Sequence, residues 1–149
     1  MNTRIVSSVT FNIPGEAKGK ARARVMRTGF SYTPKETVSA ENLVKTMYIA
    51  CGCGERMWPG PIRLTITAVY GTLKSWPKKK LNASVAGTIF PKLTKPDADN
   101  IVKLICDALN DIAWKDDSQI YQVQFTKIYG REPCTSVTIH FEEELEIQK

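Results

Sequence analysis

The feature that most limits the fold is a strict alternation of apolar and polar residues over residues 62–70. Successive side chains of a β-strand point to opposite faces, so this segment places one apolar row against a core and one polar row against solvent. The apolar row consists of Ile62, Leu64, Ile66 and Ala68. Such a strand needs a sheet whose apolar face is covered, which predicts helices packed on one side of it.

The neighbouring segments predict the other elements of this sheet and its cover. β-branched, roughly alternating stretches predict further strands at residues 4–13, 119–129 and 135–141. The turn at 130–133 predicts that the last two strands pair as a hairpin. Helical spacing predicts helices over residues 34–50 and 99–110, with a short basic helix at 76–86. We expect one α+β (mixed α/β) domain over residues 1–149: a single sheet of about four strands with two to three helices packed on it.

Local signals predict where the two longer helices begin. Thr33 as N-cap, Pro34 at the first helical position and Glu36 two residues later form a capping box. In the later helix, we expect Asp99 or Asn100 to be the cap. Its predicted buried stripe is Ile101, Leu104, Ile105 and Ala108.

Composition argues against a disordered chain and against a membrane-spanning protein. Hydrophobic residues make up 42% and charged residues 24%, as in ordinary folded domains. No apolar run approaches the roughly 20 residues that span a bilayer. The first residues carry a charge but no apolar core of a signal peptide, so we expect no membrane partner and a cytoplasmic protein.

Cysteine and histidine usage argues against two common kinds of site. Reduced thiols are the default for the four cysteines of a protein that stays in the cytoplasm. Cys51 and Cys53 are two apart with no second pair, which disfavours a structural zinc site. His140, the only histidine, lies in a predicted strand, where a packed or exposed side chain is the commoner role; because no other residue could be the imidazole base, a Ser-His-Asp or Cys-His mechanism is disfavoured.

The net charge of +6 is concentrated in two blocks. Residues 1–35 carry seven basic residues against one acidic residue, and residues 74–103 carry seven against two. Residues 141–149 carry four acidic residues against one basic residue. Two basic blocks beside an acidic tail predict a polyanionic partner, although the lysine run 78–80 alone fits an ordinary solvated surface equally well.

Two aspartates stand at the start of the predicted helix at 99–110. Asp97 and Asp99 are two apart, and in extended backbone their side chains would point the same way. Two carboxylates held close repel each other unless a cation or proton lies between them. The free amides and dipole of a helix N-terminus explain one such aspartate without any ligand. A D-x-D-N calcium loop is excluded, because its fifth and sixth positions are Ile101 and Val102.

A second acidic pair and a lysine complete the candidate site. Asp116 and Asp117 precede the strand at 119–129, and either would supply a third carboxylate. Three hard oxygen ligands with open water positions suit Mg²⁺, which supports phosphodiester chemistry. Lys103, four residues after Asp99, either forms a helix ion pair or stabilises charge on the phosphate. For Asp107 we favour a structural role.

These segments resemble the hallmark motif of the RusA family of Holliday-junction resolvases. The resemblance rests on Lys95-Pro96-Asp97-x-Asp99-Asn100-x-x-Lys103, Asp107-Ala108-Leu109-Asn110 and Asp116-Asp117-Ser118-Gln119-Ile120. The basic stretch Gly19-Lys20-Ala21-Arg22-Ala23-Arg24, followed by Tyr32-Thr33-Pro34, is similar to that family's basic segment. It departs from the family where Ala21 or Ala23 stands in place of a common proline.

The resemblance implies a homodimeric endodeoxyribonuclease that uses Mg²⁺, or Mn²⁺ as a substitute, and makes paired symmetric nicks in four-way (Holliday) DNA junctions during recombination and repair. Many such proteins are encoded by prophages. The three essential carboxylates fall on Asp97, Asp99 and one of the pair Asp116/Asp117, with Asp117 preferred, and the essential lysine falls on Lys103. The predicted phosphate contacts are Lys18, Lys20, Arg22, Arg24 and Arg27. The alternatives are a nuclease for other branched nucleic acids and a DNA-binding module without activity.

Overall fold

The computed structural model describes residues 2–52, 54–88, 93 and 95–146. Its elements, in chain order, are β1 (Thr3–Pro14), β2 (Arg24–Val25), β3 (Ser31–Tyr32), α1 (Lys35–Ala50), β4 (Ile62–Gly71), α2 (Lys78–Val85), α3 (Ala98–Leu109), a 3₁₀ turn (Asp117–Gln119), β5 (Ile120–Gly130) and β6 (Cys134–Glu144). The predicted α+β class is confirmed: within the described residues, three helices accompany one four-stranded mixed sheet. Cys53 and the last three residues of the acidic tail lie outside the described residues.

The sheet has the order β1-β6-β4-β5. β6 pairs antiparallel with β1 and with β4, whereas β4 and β5 are parallel. The predicted hairpin between the last two strands is therefore wrong, because β4 lies between β5 and β6. The turn after β5 reverses the chain but does not fix the pairing partner. The segment containing α2 and α3 provides the long crossover that the parallel pair β4–β5 requires.

The core lies between this sheet and the helices α1 and α3. The apolar row of β4 is at most 1% exposed, and the predicted stripe of α3 is buried along its whole length. Both predictions of buried residues are confirmed. Trp114, just after α3, is fully buried, and its indole donates to the side chain of Asn110 at 2.8 Å. This packing fixes α3 and the loop that follows it against the sheet.

The starts of the two longer helices differ from the prediction. α1 begins at Lys35 with Pro34 as its N-cap, and the Pro34 carbonyl accepts the amides of Thr37 and Val38. The capping box of Thr33 and Glu36 is therefore wrong. α3 begins at Ala98 with Asp97 as its N-cap, so the assignment of the cap to Asp99 or Asn100 is also wrong. In both cases the backbone carbonyl makes the first helical bond without a capping bond from the side chain.

The basic segment, which we define as residues 15–33, is an irregular ribbon rich in glycine and arginine. Its described pairing is limited to the short strands β2 and β3, where Arg24 lies opposite Tyr32. Residues 21–33 are exposed throughout. No helix among the described residues is both long enough and apolar enough to span a lipid bilayer.

Candidate active site at the start of α3

Asp97 and Asp99 lie at the N-terminal end of α3, and both are exposed. Asp97 has extended backbone (φ −69°, ψ 151°), whereas Asp99 is already within the first helical turn. The expectation that both lie in extended backbone is therefore wrong. Both nevertheless line one cleft, formed by residues from Glu16 to Arg22 on one side and from Lys95 to Asn100 on the other. We call this the α3 cleft.

The backbone of the basic segment is hydrogen-bonded to the start of α3. The amide of Lys20 donates to the carbonyl of Asn100 at 3.0 Å, and the amide of Ala21 donates to Oγ1 of Thr37 in α1 at 3.3 Å. Gly19 makes this approach feasible, because a Cβ there would lie 2.9 Å from Cβ of Pro96. One wall of the α3 cleft carries Lys18, Lys20 and Arg22 together with Glu16, and the other carries Asp97 and Asp99 together with Lys95.

Lys103 connects α3 to the second acidic pair. Its ammonium lies 3.1 Å from Oδ1 of Asp107 and 3.7 Å from Oδ2 of Asp117. The hydrogen bond and charge of Asp107, with a smaller contribution from Asp117, raise the pKa of Lys103 above its ordinary value. The lysine is therefore a cation held beside Asp117. Its observed helix partner is Asp107, four residues later, and this fits the structural role predicted for that aspartate.

The two aspartates of the second pair have different surroundings. The side chain of Asp116 accepts the amide of Ser118 at 3.2 Å, and Gln119 Oε1 accepts the amide of Asp116 at 3.0 Å. These bonds form a capping box for the 3₁₀ turn, and hydrogen bonds from the side chain and then the amide of Ser118 are the main reason that the pKa of Asp116 is lowered. Asp117, in contrast, faces Lys103.

Gln119, which the sequence indicated only as part of a motif and without a role, also belongs to this site. Its Nε2 donates to the carbonyls of Trp58 at 2.6 Å and Gly60 at 2.9 Å. These bonds connect the loop that carries Asp116 and Asp117, which we call the acidic loop, to the segment before β4. The signal was present in the sequence, since an Asx residue followed three positions later by Gln is the pattern of a capping box. Gln119 thus fixes the path of the loop that carries Asp117.

The five predicted phosphate contacts fall into two groups. Four of them are exposed: Lys18, Arg22, Arg24 and Arg27. Lys20 differs, because its ammonium lies 2.5 Å from Oε1 of Glu41 and 3.2 Å from Oδ2 of Asp107. Of these five side chains, the four exposed ones are open to solvent, whereas that of Lys20 is held within the protein.

The structure gathers the acidic residues around α3 in two places. Asp97 and Asp99 share the α3 cleft, and Asp117 lies beside Lys103. Among the described residues, no three side chains of His, Cys, Asp or Glu stand close enough together to form a ligand set for a metal ion. The donors are nevertheless of the right chemical kind, since exposed carboxylates are the ligands that Mg²⁺ takes from proteins. The side chain of Asp97, moreover, does not cap α3.

Comparison with known proteins identifies the family of this chain. A curated relative from Bacillus subtilis (strain 168), "Uncharacterized protein YqaN", is 38% identical over 87 residues, which are 57% of this chain and 61% of that protein. The matched span thus covers less than two thirds of the relative's length. The sequence profile described as "Endodeoxyribonuclease RusA" matches residues 14–140, which include the basic segment, α3 and both acidic pairs. The chain therefore belongs to the RusA family of endodeoxyribonucleases.

Proposed function

We propose that this protein is a Mg²⁺-dependent endodeoxyribonuclease that resolves four-way DNA junctions by paired symmetric nicks, and that Mn²⁺ substitutes for Mg²⁺. The observation that carries the proposal is the 3.7 Å ion pair between Lys103 of α3 and Asp117 of the 3₁₀ turn, because Asp97 and Asp99 lie at the start of the same helix α3. The helix α3 thus has two carboxylates at its start and a lysine beside a third carboxylate. That set of groups suits hydrolysis of a phosphodiester.

Asp97, Asp99 and Asp117 would hold the metal, and Asp116 is the weaker candidate because its carboxylate already caps the 3₁₀ turn. A bound Mg²⁺ would lower the pKa of a coordinated water and neutralise charge on the scissile phosphate. Lys103 would stabilise the charge that develops on the phosphate oxygens, since its ammonium is exposed on one side. Gln119 would keep the acidic loop in place through its bonds to the segment before β4.

The exposed cations of the basic segment would bind the DNA backbone next to the α3 cleft. Contacts of Lys18, Arg22, Arg24 and Arg27 with phosphates would recognise the path of the strands rather than their bases. A homodimer would present two such sites, and its two-fold symmetry would match that of a four-way junction. Paired nicks in opposed strands follow from this symmetry.

A cleavage assay with a strand-labelled synthetic four-way junction and Mg²⁺ tests the proposal. We expect the wild type to make paired nicks, and Asp97→Asn to abolish them while junction binding is retained. Asp111→Asn is the matched control, because Asp111 is an exposed aspartate just after α3 and should tolerate the change. Its left-handed backbone (φ 63°) is one that asparagine also adopts readily.

Parallel reactions with a flap, a plain duplex and RNA define the substrate class. Faster cleavage of any of these than of the junction would contradict junction resolution. Nicking that persists in Asp97→Asn would refute the assignment of the metal site. Binding of the junction without nicking, in either metal, would favour a DNA-binding module without activity.

A further inference from the structure

Lys20 differs from the other cations of the basic segment in what surrounds its charge. Its ammonium donates to Glu41 of α1 and to Asp107 of α3, and the three side chains are only 26%, 17% and 21% exposed. Burial alone would lower the pKa of Lys20, but the bonds to Glu41 and Asp107 outweigh it and the pKa is raised. Two of the three donors of this ammonium are thus already used within the protein.

Asp107 links this lysine to the candidate active site. Its Oδ2 accepts Lys20 at 3.2 Å, and its Oδ1 accepts Lys103 at 3.1 Å. One carboxylate therefore holds both the lysine of the basic segment and the lysine beside Asp117. The backbone around Lys20 is fastened as well, through its amide bond to Asn100 and the amide bond of Ala21 to Thr37.

We infer that Lys20 is a positioning residue rather than a phosphate ligand: with Glu41 and Asp107 it fastens the basic segment to α1 and α3. Lys18 and Arg22, on either side of Lys20, are then held opposite Asp97 and Asp99 across the α3 cleft. Asp107 at the same time holds Lys103 toward Asp117. The consequence for cleavage depends on the proposed function, whereas the fastening itself does not.

The two roles of Lys20 predict opposite effects of Glu41→Gln. If Lys20 fastens the segment, removing the carboxylate of Glu41 should slow single-turnover cleavage at saturating junction about fivefold or more, as Lys20→Met does. The double variant Lys20→Met/Glu41→Gln should be no slower than Lys20→Met, because each of the two changes already breaks the same contact between Lys20 and Glu41. If Lys20 binds phosphate, Glu41→Gln should free it, so that cleavage is unchanged or faster while Lys20→Met remains slow. That result would overturn the inference.

Two variants serve as controls for the cleavage measurement. Lys20→Arg keeps the charge and reach of the side chain, so it should restore at least half of the wild-type rate. Glu36→Gln removes an exposed carboxylate from the same helix as Glu41 and should leave the rate unchanged. A loss with Glu36→Gln as large as with Glu41→Gln would mean that any change of charge on α1 slows the enzyme, and would also overturn the inference.

Hydrogen exchange without DNA tests the fastening independently of any activity. The amides of Lys20 and Ala21 are bonded to α3 and α1, so they should exchange slowly in the wild type. We expect their exchange to become about tenfold faster in Lys20→Met and in Glu41→Gln, with the amides of α3 unaffected. Unchanged exchange at these two amides would refute the fastening. If the wild type cuts no junction at all, the proposed function fails while this measurement still decides the inference.

Discussion

The carboxylate of Glu142 is hydrogen-bonded to side chains from the other three strands of the sheet, including β5, which follows the acidic loop. Glu142 of β6 is 1% exposed, and it accepts hydrogen bonds from Thr3 of β1 at 2.7 Å, from Arg63 of β4 at 3.0 Å and from Tyr121 of β5. Tyr121 stands two residues after the 3₁₀ turn that contains Asp117. Replacing Glu142 by Gln keeps the shape of the side chain but removes the charge that Arg63 faces.

The size of the effect follows from the burial of the two partners. Removing one partner of a buried ion pair costs about 3–5 kcal/mol, because the other charge stays buried without compensation. Arg63 is 34% exposed, so water would solvate part of its charge, and we expect a loss of about 2–3 kcal/mol at pH 7. For a domain of this size that loss lowers the melting temperature by about 4–12 °C.

The pH dependence of this loss has a definite sign. Burial would raise the pKa of Glu142, but the bonds from Tyr121, Thr3 and Arg63 outweigh it and hold the pKa below the ordinary value of about 4.5. The carboxylate therefore stabilises the fold above pH 4.5, and this stabilisation is lost as the pH falls through the folded-state pKa. The stability difference between the wild type and Glu142→Gln should shrink below pH 4.5.

Urea unfolding at pH 7 and at decreasing pH measures this difference. Glu144→Gln, an exposed site on the same strand, is the matched control and should change the free energy of unfolding by less than about 0.5 kcal/mol. Equal stability of the two variants at pH 7 would refute the reasoning. So would a difference that stays constant as the pH is lowered.

Two further predictions concern the contact with DNA and the packing of the basic segment against the start of α3. Arg24→Met should reduce the slope of log affinity against log salt by about 0.9, measured by junction titrations between 50 and 200 mM salt, and an unchanged slope would exclude a phosphate contact of Arg24. Gly19→Ala should slow single-turnover cleavage at least severalfold with an unchanged circular dichroism spectrum, because the new Cβ would come within 2.9 Å of Pro96. Wild-type cleavage by that variant would show that the segment need not lie so close to α3.

The parts of the fold that sequence predicted correctly are those with a strong local pattern. Alternation over β4 and helical spacing over α3 each repeat several times, and they identified residues that are at most 3% exposed. The two acidic pairs were recognisable because like charges so close together are costly without a cation or a cap. The parallel pairing of β4 and β5 places the start of β5 beside the start of β4, and Asp117, just before β5, lies 3.7 Å from Lys103 of α3.

The features that sequence did not predict depend on contacts between distant residues or on the backbone alone. Nothing in the turn at 130–133 indicates that β4 inserts between the last two strands. The caps at Pro34 and Asp97 use the backbone carbonyl, which no side-chain pattern signals. Lys20 looked like its basic neighbours, because its partners lie 21 and 87 residues further along the chain.

According to the function proposed above, Asp97, Asp99 and Asp117 share one divalent cation beside Lys103. Anomalous scattering from crystals of the protein grown with Mn²⁺ measures this directly. We expect one peak per chain within coordination distance of oxygens from all three aspartates, and loss of that peak in Asp97→Asn. A metal bound elsewhere, or carboxylates that remain on separate patches in the presence of Mn²⁺, would contradict it.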